Sequence, residues 1–200
     1  MYNKYVVEGT SISLHYVHLY SKNINMRFLY LFIFVGAFTF TGCQIKTSTA
    51  DTANNESVTT YYFIRHAEKD RSDPENRNPS LTDSGQVRAQ NWMRVFNDVA
   101  LDAVYSTDYN RTQQTAAPTA ASKSLSILSY NPSTLNDSIF SGATHGKKVL
   151  VVGHSNTTPS FVNAVLGSTT YSDIDDTNNG NLYIVRVQGD LKEAQLLQIN

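Results

Sequence analysis

The feature that most constrains this chain is a strand-like run that ends in ionisable side chains, and it occurs twice. Tyr61, Tyr62, Phe63 and Ile64 all favour extended structure and run without a break into Arg65, His66 and Glu68. The stretch Val149 to Ser155, VLVVGHS, repeats the arrangement with His154. Open α/β sheets place ligands in the crevice beyond the carboxyl ends of their strands. Neighbouring strands lie about 4.8 Å apart, so two parallel strands that each end in histidine bring both imidazoles to one site.

The rest of the domain agrees with such a sheet. Asp70 to Ser80 is a loop by its prolines, asparagines and charges. Leu81-Thr82-Asp83-Ser84-Gly85 introduces a helix in which Trp92, Val95, Phe96 and Val99 recur at helical spacing, with Trp92 and Phe96 as core. Ala103 to Tyr105 reads as a second strand, followed by a helix that carries Arg111, Thr115 and Ala116 and has Asp108 as its expected N-cap. Leu125 to Tyr130 is a third strand, and Asn131 to Gly146 a loop with a turn of helix. Lys147 to Gly153 is a fourth strand and Pro159 to Leu166 a short helix. Asn181 to Gln188 and Glu193 to Ile199 form a closing hairpin around Gly189-Asp190. The expectation is an α/β fold: a mostly parallel central sheet, helices on both faces, and an antiparallel edge.

The residues before this domain read differently. Residues 1–25 have no clear period and precede Met26, which opens a more recognisable pattern, so they are expected to be an extension outside the native protein. Arg27, the apolar run Phe28 to Phe40 and Thr41-Gly42-Cys43 fit an export signal over residues 26–43. That run is short of the about 20 residues of a comfortable membrane span. Its Gly-Cys ending resembles the lipobox of bacterial lipoproteins, which implies acylation of Cys43 and an exported domain anchored at a bacterial membrane, facing the periplasm or cell exterior. Phe40 stands where such boxes usually carry leucine. Residues 44–58 are polar and poor in large apolar side chains, as a flexible tether is, and leave 59–200 as the folded domain.

Composition narrows the partner. With 16 basic and 17 acidic side chains there is no excess of positive charge to suggest nucleic acid, which leaves a small molecule or a protein. Cys43 is the single cysteine, so no intrachain disulfide and no cysteine metal cluster can form. The strand ends deliver Arg65, His66, Arg111 and His154 to one crevice, and that set suits a phosphoryl group. Guanidinium forks bind phosphate oxygens bidentately, and a neutral imidazole is a competent nucleophile that can form and release a phosphohistidine. This chemistry requires neither metal nor cofactor.

These residues resemble the histidine phosphatase superfamily, also called phosphoglycerate-mutase-like, from about Tyr61 to the C-terminus. Arg65-His66-Ala67-Glu68 is similar to its signature after the first strand, and Leu81 to Gly85 to its helix entry. Ser106 to Arg111, continuing to Thr115-Ala116, resembles its second block, and Val152-Gly153-His154-Ser155 its last. The resemblance implies His66 as the phosphorylated nucleophile, Arg65 and Arg111 as phosphate ligands, and His154 as a second catalytic histidine that also contacts the phosphoryl group. In length the chain resembles the compact, phosphohistidine-phosphatase-like members. It implies a phosphatase for a phosphorylated small molecule or phosphoprotein. Members of the family carry a carboxylate that protonates the leaving group. Here Asp137 is the only acidic residue between Arg111 and His154, so either Asp137 is that acid or the substrate has a leaving group that needs little protonation.

Glu68, Asn78, Ser106 and Ser155 are further candidates for the rim or the surroundings of the site, Glu68 either in contact with substrate or in a solvated pair with Lys69. His145 reads as structural. Two other readings compete. A surface-anchored module could bind phosphorylated ligands without turnover. Ser155 within Gly153-His154-Ser155-Asn156-Thr157 partly mimics a serine hydrolase elbow, but no histidine follows His154 in the chain to complete it.

Overall fold

The computed structural model describes residues 56–199. The expected extension, the signal, the acylated Cys43 and most of the tether lie outside the described residues.

Alternation along the strands decides how the layers assemble. In β4 (Lys148–Gly153), Val149 and Val151 face one side of the sheet and Leu150 and Val152 the other, and all four are buried. A strand buried on both faces needs helices on both. One face carries Tyr61, Phe63, Val149, Val151 and Val185 against Phe140 of α3 (Ser138–Thr144) and Phe161, Val162 and Val165 of α4 (Thr157–Leu166). The other carries Ile64, Val104, Leu150, Val152 and Leu182 against Trp92 and Phe96 of α1 (Asp83–Val95, with Phe96 its C-cap) and Ala116 and Ala120 of α2 (Asn110–Ser122). Fully buried side chains such as Phe63 and Trp92 each contribute about 3 kcal/mol or more, judged by truncation to alanine.

Six strands run in the order β3-β2-β4-β1-β5-β6. β1 (Thr59–Arg65), β2 (Ala103–Ser106), β3 (Ile127–Ser129) and β4 are parallel, with β1 beside β4. β5 (Asn181–Gln188) pairs antiparallel with β1, and β6 (Leu191–Gln198) with β5, which supplies the antiparallel edge. The fold is the mixed α/β sheet expected from the sequence.

Several boundaries differ from the sequence reading, each for a local reason. β3 keeps only three residues because it is an edge strand paired with β2 alone, and Leu125 closes the end of α2 by donating its N–H to the Ala120 carbonyl. α1 ends at Val95, whose side chain is exposed, and Val99 follows in a turn. α4 starts two residues early, at Thr157. Asp108 does not cap α2: the N-cap is Tyr109, and the first free N–H, that of Asn110, donates to Oδ1 of Asn78 from the 70–80 loop. Asn131 to Gly146 contains a genuine helix, α3, capped by Asp137.

Candidate active site

β1 and β4 stop together. Arg65 pairs with Gly153 in register, and the His66 N–H donates to the Gly153 carbonyl at 2.9 Å. The two imidazoles leave the sheet side by side, with ring centroids 5.5 Å apart and planes at 67°. The two strand ends thus bring both imidazoles to one crevice, as expected from their sequences.

His66 is buried and held from three directions. Nδ1 lies 2.7 Å from the Ala67 carbonyl, which can only accept, so Nδ1 carries the proton and Nε2 keeps its lone pair. The Ala67 N–H donates to Thr115 Oγ1 on α2, and Asn179 Nδ2 donates to the His66 carbonyl at 2.8 Å. Burial, opposed by the bond to Ala67 and reinforced by the charges of Arg65 and Arg111 and by His154, pushes the His66 pKa down to about 3. His154 is lowered to about 4 by burial and then by Arg111, Lys69 and Arg65. Both rings are neutral at ordinary pH.

His154 spans two elements. Its Nδ1 is 3.4 Å from Arg111 Nη2, a pure donor, so Nδ1 accepts and Nε2–H donates to Thr107 Oγ1 at 2.9 Å. Thr107 lies just past β2, and its hydroxyl also meets Thr112 Oγ1. Tyr109 packs edge-on to the His154 ring and lies under the Arg111 guanidinium at 4.4 Å, which fixes both. Arg111 Nη1 reaches the Arg77 carbonyl, while its Nε is buried without a partner, a donor available to an anion.

Arg65 is 2% exposed and mostly committed. Nη1 donates to the carbonyls of Asp175 and Asn178, and Nη2 to Asp176 Oδ1 at 2.5 Å. Its Nε is buried and unpartnered, so this edge is what Arg65 can offer a phosphate. Arg71 holds the other oxygen of Asp176 at 2.7 Å. A cavity of about 380 Å³ opens here, lined by His66, Glu68, Lys69, Arg71, Asp176 and Asn179 among others.

The other sequence candidates fall in different places. Glu68 lines the cavity, but its partner is Arg88, whose Nε and Nη2 both meet Oε1 at 2.8 Å, and not Lys69. Asn78 is a clamp on the start of α2: it accepts from Asn110 N and Asn110 Nδ2 donates to its carbonyl. Ser106 is fully buried and its hydroxyl donates to the Thr107 carbonyl. Ser155 sits beside His154, and its carbonyl accepts from Ile174. His145 closes α3 and bonds Ser57 among residues at the start of β1, the opposite end of that strand from His66.

Asp137 is the main correction. Its Oδ1 accepts from Phe140 N at 2.8 Å as the cap of α3, and it lines a separate cavity with Tyr105, Tyr130 and Phe140. The structure does not bring it to the histidines. Residues the sequence reading missed are Thr107, Thr115, Asn179, Arg71 and Asp176. Thr107 and Thr115 sit inside motifs already singled out for Arg111. Asn179 and Asp176 lie in a polar loop after α4 with no periodic signal.

A crevice at parallel strand ends with two neutral histidines and two arginines suits a phosphoryl group. Residues 61–131 match the family model of the histidine phosphatase superfamily (branch 1). That stretch is 71 of the chain's 200 residues and holds Arg65, His66 and Arg111. No curated protein matches its sequence significantly. Among solved structures it is similar in fold to phosphoglycerate mutase from Bacillus anthracis, at 13% identity and TM-score 0.56, covering 72% of this chain and 94% of that one. It is also similar to a candidate alpha-ribazole-5'-P phosphatase from Escherichia coli K-12, at 15% identity and TM-score 0.54 over 71% and 98%. A third likeness is to a candidate phosphohistidine phosphatase SixA from Agrobacterium tumefaciens, at 19% identity and TM-score 0.51 over 71% and 99%.

Proposed function

We propose that the protein is a metal-independent phosphatase that works through a phosphohistidine on His66. The observation that carries this reading is the bond from His66 Nδ1 to the Ala67 carbonyl, which leaves Nε2 with its lone pair in a residue that lines the cavity. Nε2 attacks phosphorus, the P–O bond to the leaving group breaks, and water then cleaves the P–N bond. Nε of Arg65 and Nε of Arg111 donate to the equatorial oxygens, where charge accumulates during transfer, and His154 holds Arg111 in place and joins them when its Nε2–H turns from Thr107 to the phosphoryl group. The cations around His66 repel a divalent metal ion, so the same charge serves in its place.

The substrate is a phosphorylated small molecule or a phosphohistidine on a protein; the proteins similar in fold include a candidate alpha-ribazole-5'-P phosphatase and a candidate phosphohistidine phosphatase. The export pattern over residues 26–43 supports a domain anchored through an acylated Cys43 at a bacterial membrane, outside the cytoplasm. The test is to mix the protein with an aryl phosphate, quench, and map acid-labile phosphate by mass spectrometry. Label on His66, with turnover that survives a chelator and is lost in His66→Ala, is expected. Bound phosphate with neither label nor turnover refutes the mechanism and leaves a binding module.

A further inference from the structure

The cavity beside His66 has more positive charge than one phosphoryl group uses. Lys69 lines it, and no anion pairs with its ammonium among the described residues. Arg65 and Arg71 share the single carboxylate of Asp176. Glu68, the other carboxylate on the cavity wall, is taken up by Arg88. Burial lowers the Lys69 pKa first, and Arg111, Arg71 and Arg65 lower it further against the opposing pull of Asp176.

The position of Lys69 is fixed by the backbone. It forms a bridge with Leu81, flanked by bonds from Asp70 N to the Ser80 carbonyl and from Thr82 N to the Glu68 carbonyl. Gly85 allows this approach, since a Cβ there would lie 2.2 Å from the Glu68 oxygen. The ammonium thus belongs to the wall of the site and is not a loose surface charge.

The same wall is poor in proton donors. Asp176 is 65% exposed and its pKa is lowered by hydrogen bonds to Arg71 and Arg65, so it stays ionised. Glu68 is bonded to Arg88 through Oε1, and its buried Oε2 has no partner. Asp137, the acid expected from sequence, lines another cavity. A site with surplus cations, whose two carboxylates are each held by an arginine, suits a leaving group that departs as an anion and is held as one.

We infer that the preferred substrate is a phosphoanhydride, a terminal phosphoryl group joined to a second phosphate, with Lys69 and Arg71 binding the leaving phosphate. This rests on the phosphohistidine mechanism above. His66 Nε2 bonds to the terminal phosphorus as the bridging P–O bond breaks, and the leaving phosphate keeps the electron pair, so no proton is needed. Water then attacks the phosphohistidine. The P–N electron pair returns to Nε2, and the proton lost by water ends on the phosphate released.

The test compares inorganic pyrophosphate, phenyl phosphate and ethyl phosphate with chelator present, by kcat/KM and by label on His66. Pyrophosphate is expected to lead, with ethyl phosphate at least about 100-fold slower, because a general acid is typically worth about 10²–10⁴ to such a leaving group. Lys69→Gln should lower kcat/KM for pyrophosphate about tenfold more than for phenyl phosphate, and Lys69→Arg should restore the preference, as a charge-assisted contact predicts. Ethyl phosphate turned over as fast as pyrophosphate overturns the inference, since it requires a proton donor. So does pyrophosphate that is inert while phenyl phosphate labels His66, or an equal loss on both substrates in Lys69→Gln. No label on His66 from any of the three overturns the mechanism itself, and the inference with it.

Discussion

Acid should leave the chemistry of this site intact longer than it leaves the fold intact. At pH 5 an ordinary imidazole, with a pKa of about 6.5, is about 97% protonated. One that titrates at about 3 is about 1% protonated and still nucleophilic. The rate of His66 labelling by an aryl phosphate should therefore stay flat from pH 7.5 to 5 after correction for substrate ionisation. Stability runs the other way. The unfolded chain takes up protons on both histidines near pH 6.5, whereas the folded one resists until about 3 at His66 and about 4 at His154. Their contribution is whole above pH 6.5 and is lost as pH falls toward the folded values.

Each unit of pH in that window costs about 1.36 kcal/mol per histidine. Between pH 6.5 and 5 the pair loses about 4 kcal/mol as an upper bound, or about 2 kcal/mol with partial solvent screening. Urea titrations of the wild type and of the double variant His66→Gln, His154→Gln at pH 7.5 and 5 measure it. The wild type should lose about 2 kcal/mol more than the variant, and the two imidazole midpoints, followed by NMR, should rise when inorganic phosphate supplies the missing anion. Parallel loss in the two proteins, or midpoints near 6.5 without phosphate, would refute the account of the site as a cation-crowded, desolvated pocket.

Asn179→Ala leaves the buried His66 carbonyl without a donor and should cost about 1–3 kcal/mol in urea unfolding. Asp137→Ala removes a helix cap, so a loss of about 1 kcal/mol is expected while aryl phosphate turnover changes less than twofold; a large fall in turnover would return Asp137 to the site. Gly85→Ala pushes the Glu68 carbonyl away from α1 and should cost about 1–3 kcal/mol, read as a lowered Tm. Asp176→Asn withdraws the anion shared by Arg65 and Arg71, and inorganic phosphate should bind more tightly by calorimetry; weaker binding would show that Asp176 serves mainly to order the 175–178 loop.

What could be read from sequence was whatever periodicity and strand chemistry carry. Ile64 and His66 are two residues apart on one extended run, so the strand preference of Tyr61 to Ile64 and the placement of His66 at its end are one signal. The parallel partner followed from Val149 to Val152, apolar on both faces and hence central. Arg111 came with its helix.

Asp137 misled because chain order was used as a proxy for space. It lies between Arg111 and His154 in sequence, but the apolar Phe140 draws α3 onto the sheet face packed by Phe161, and the carboxylate goes with it to cap that helix. Asp176 was invisible for the converse reason. It lies in a polar loop after α4, where neither helical nor strand spacing marks a position, and it reaches the site only because Arg65 Nη1 gathers the Asp175 and Asn178 carbonyls. A buried arginine has five donors to satisfy and satisfies them from whatever backbone is near. The loop order around Asp176 is therefore a consequence of burying Arg65. The residues that decide what this pocket accepts are recruited by the catalytic strand, and no motif of their own announces them.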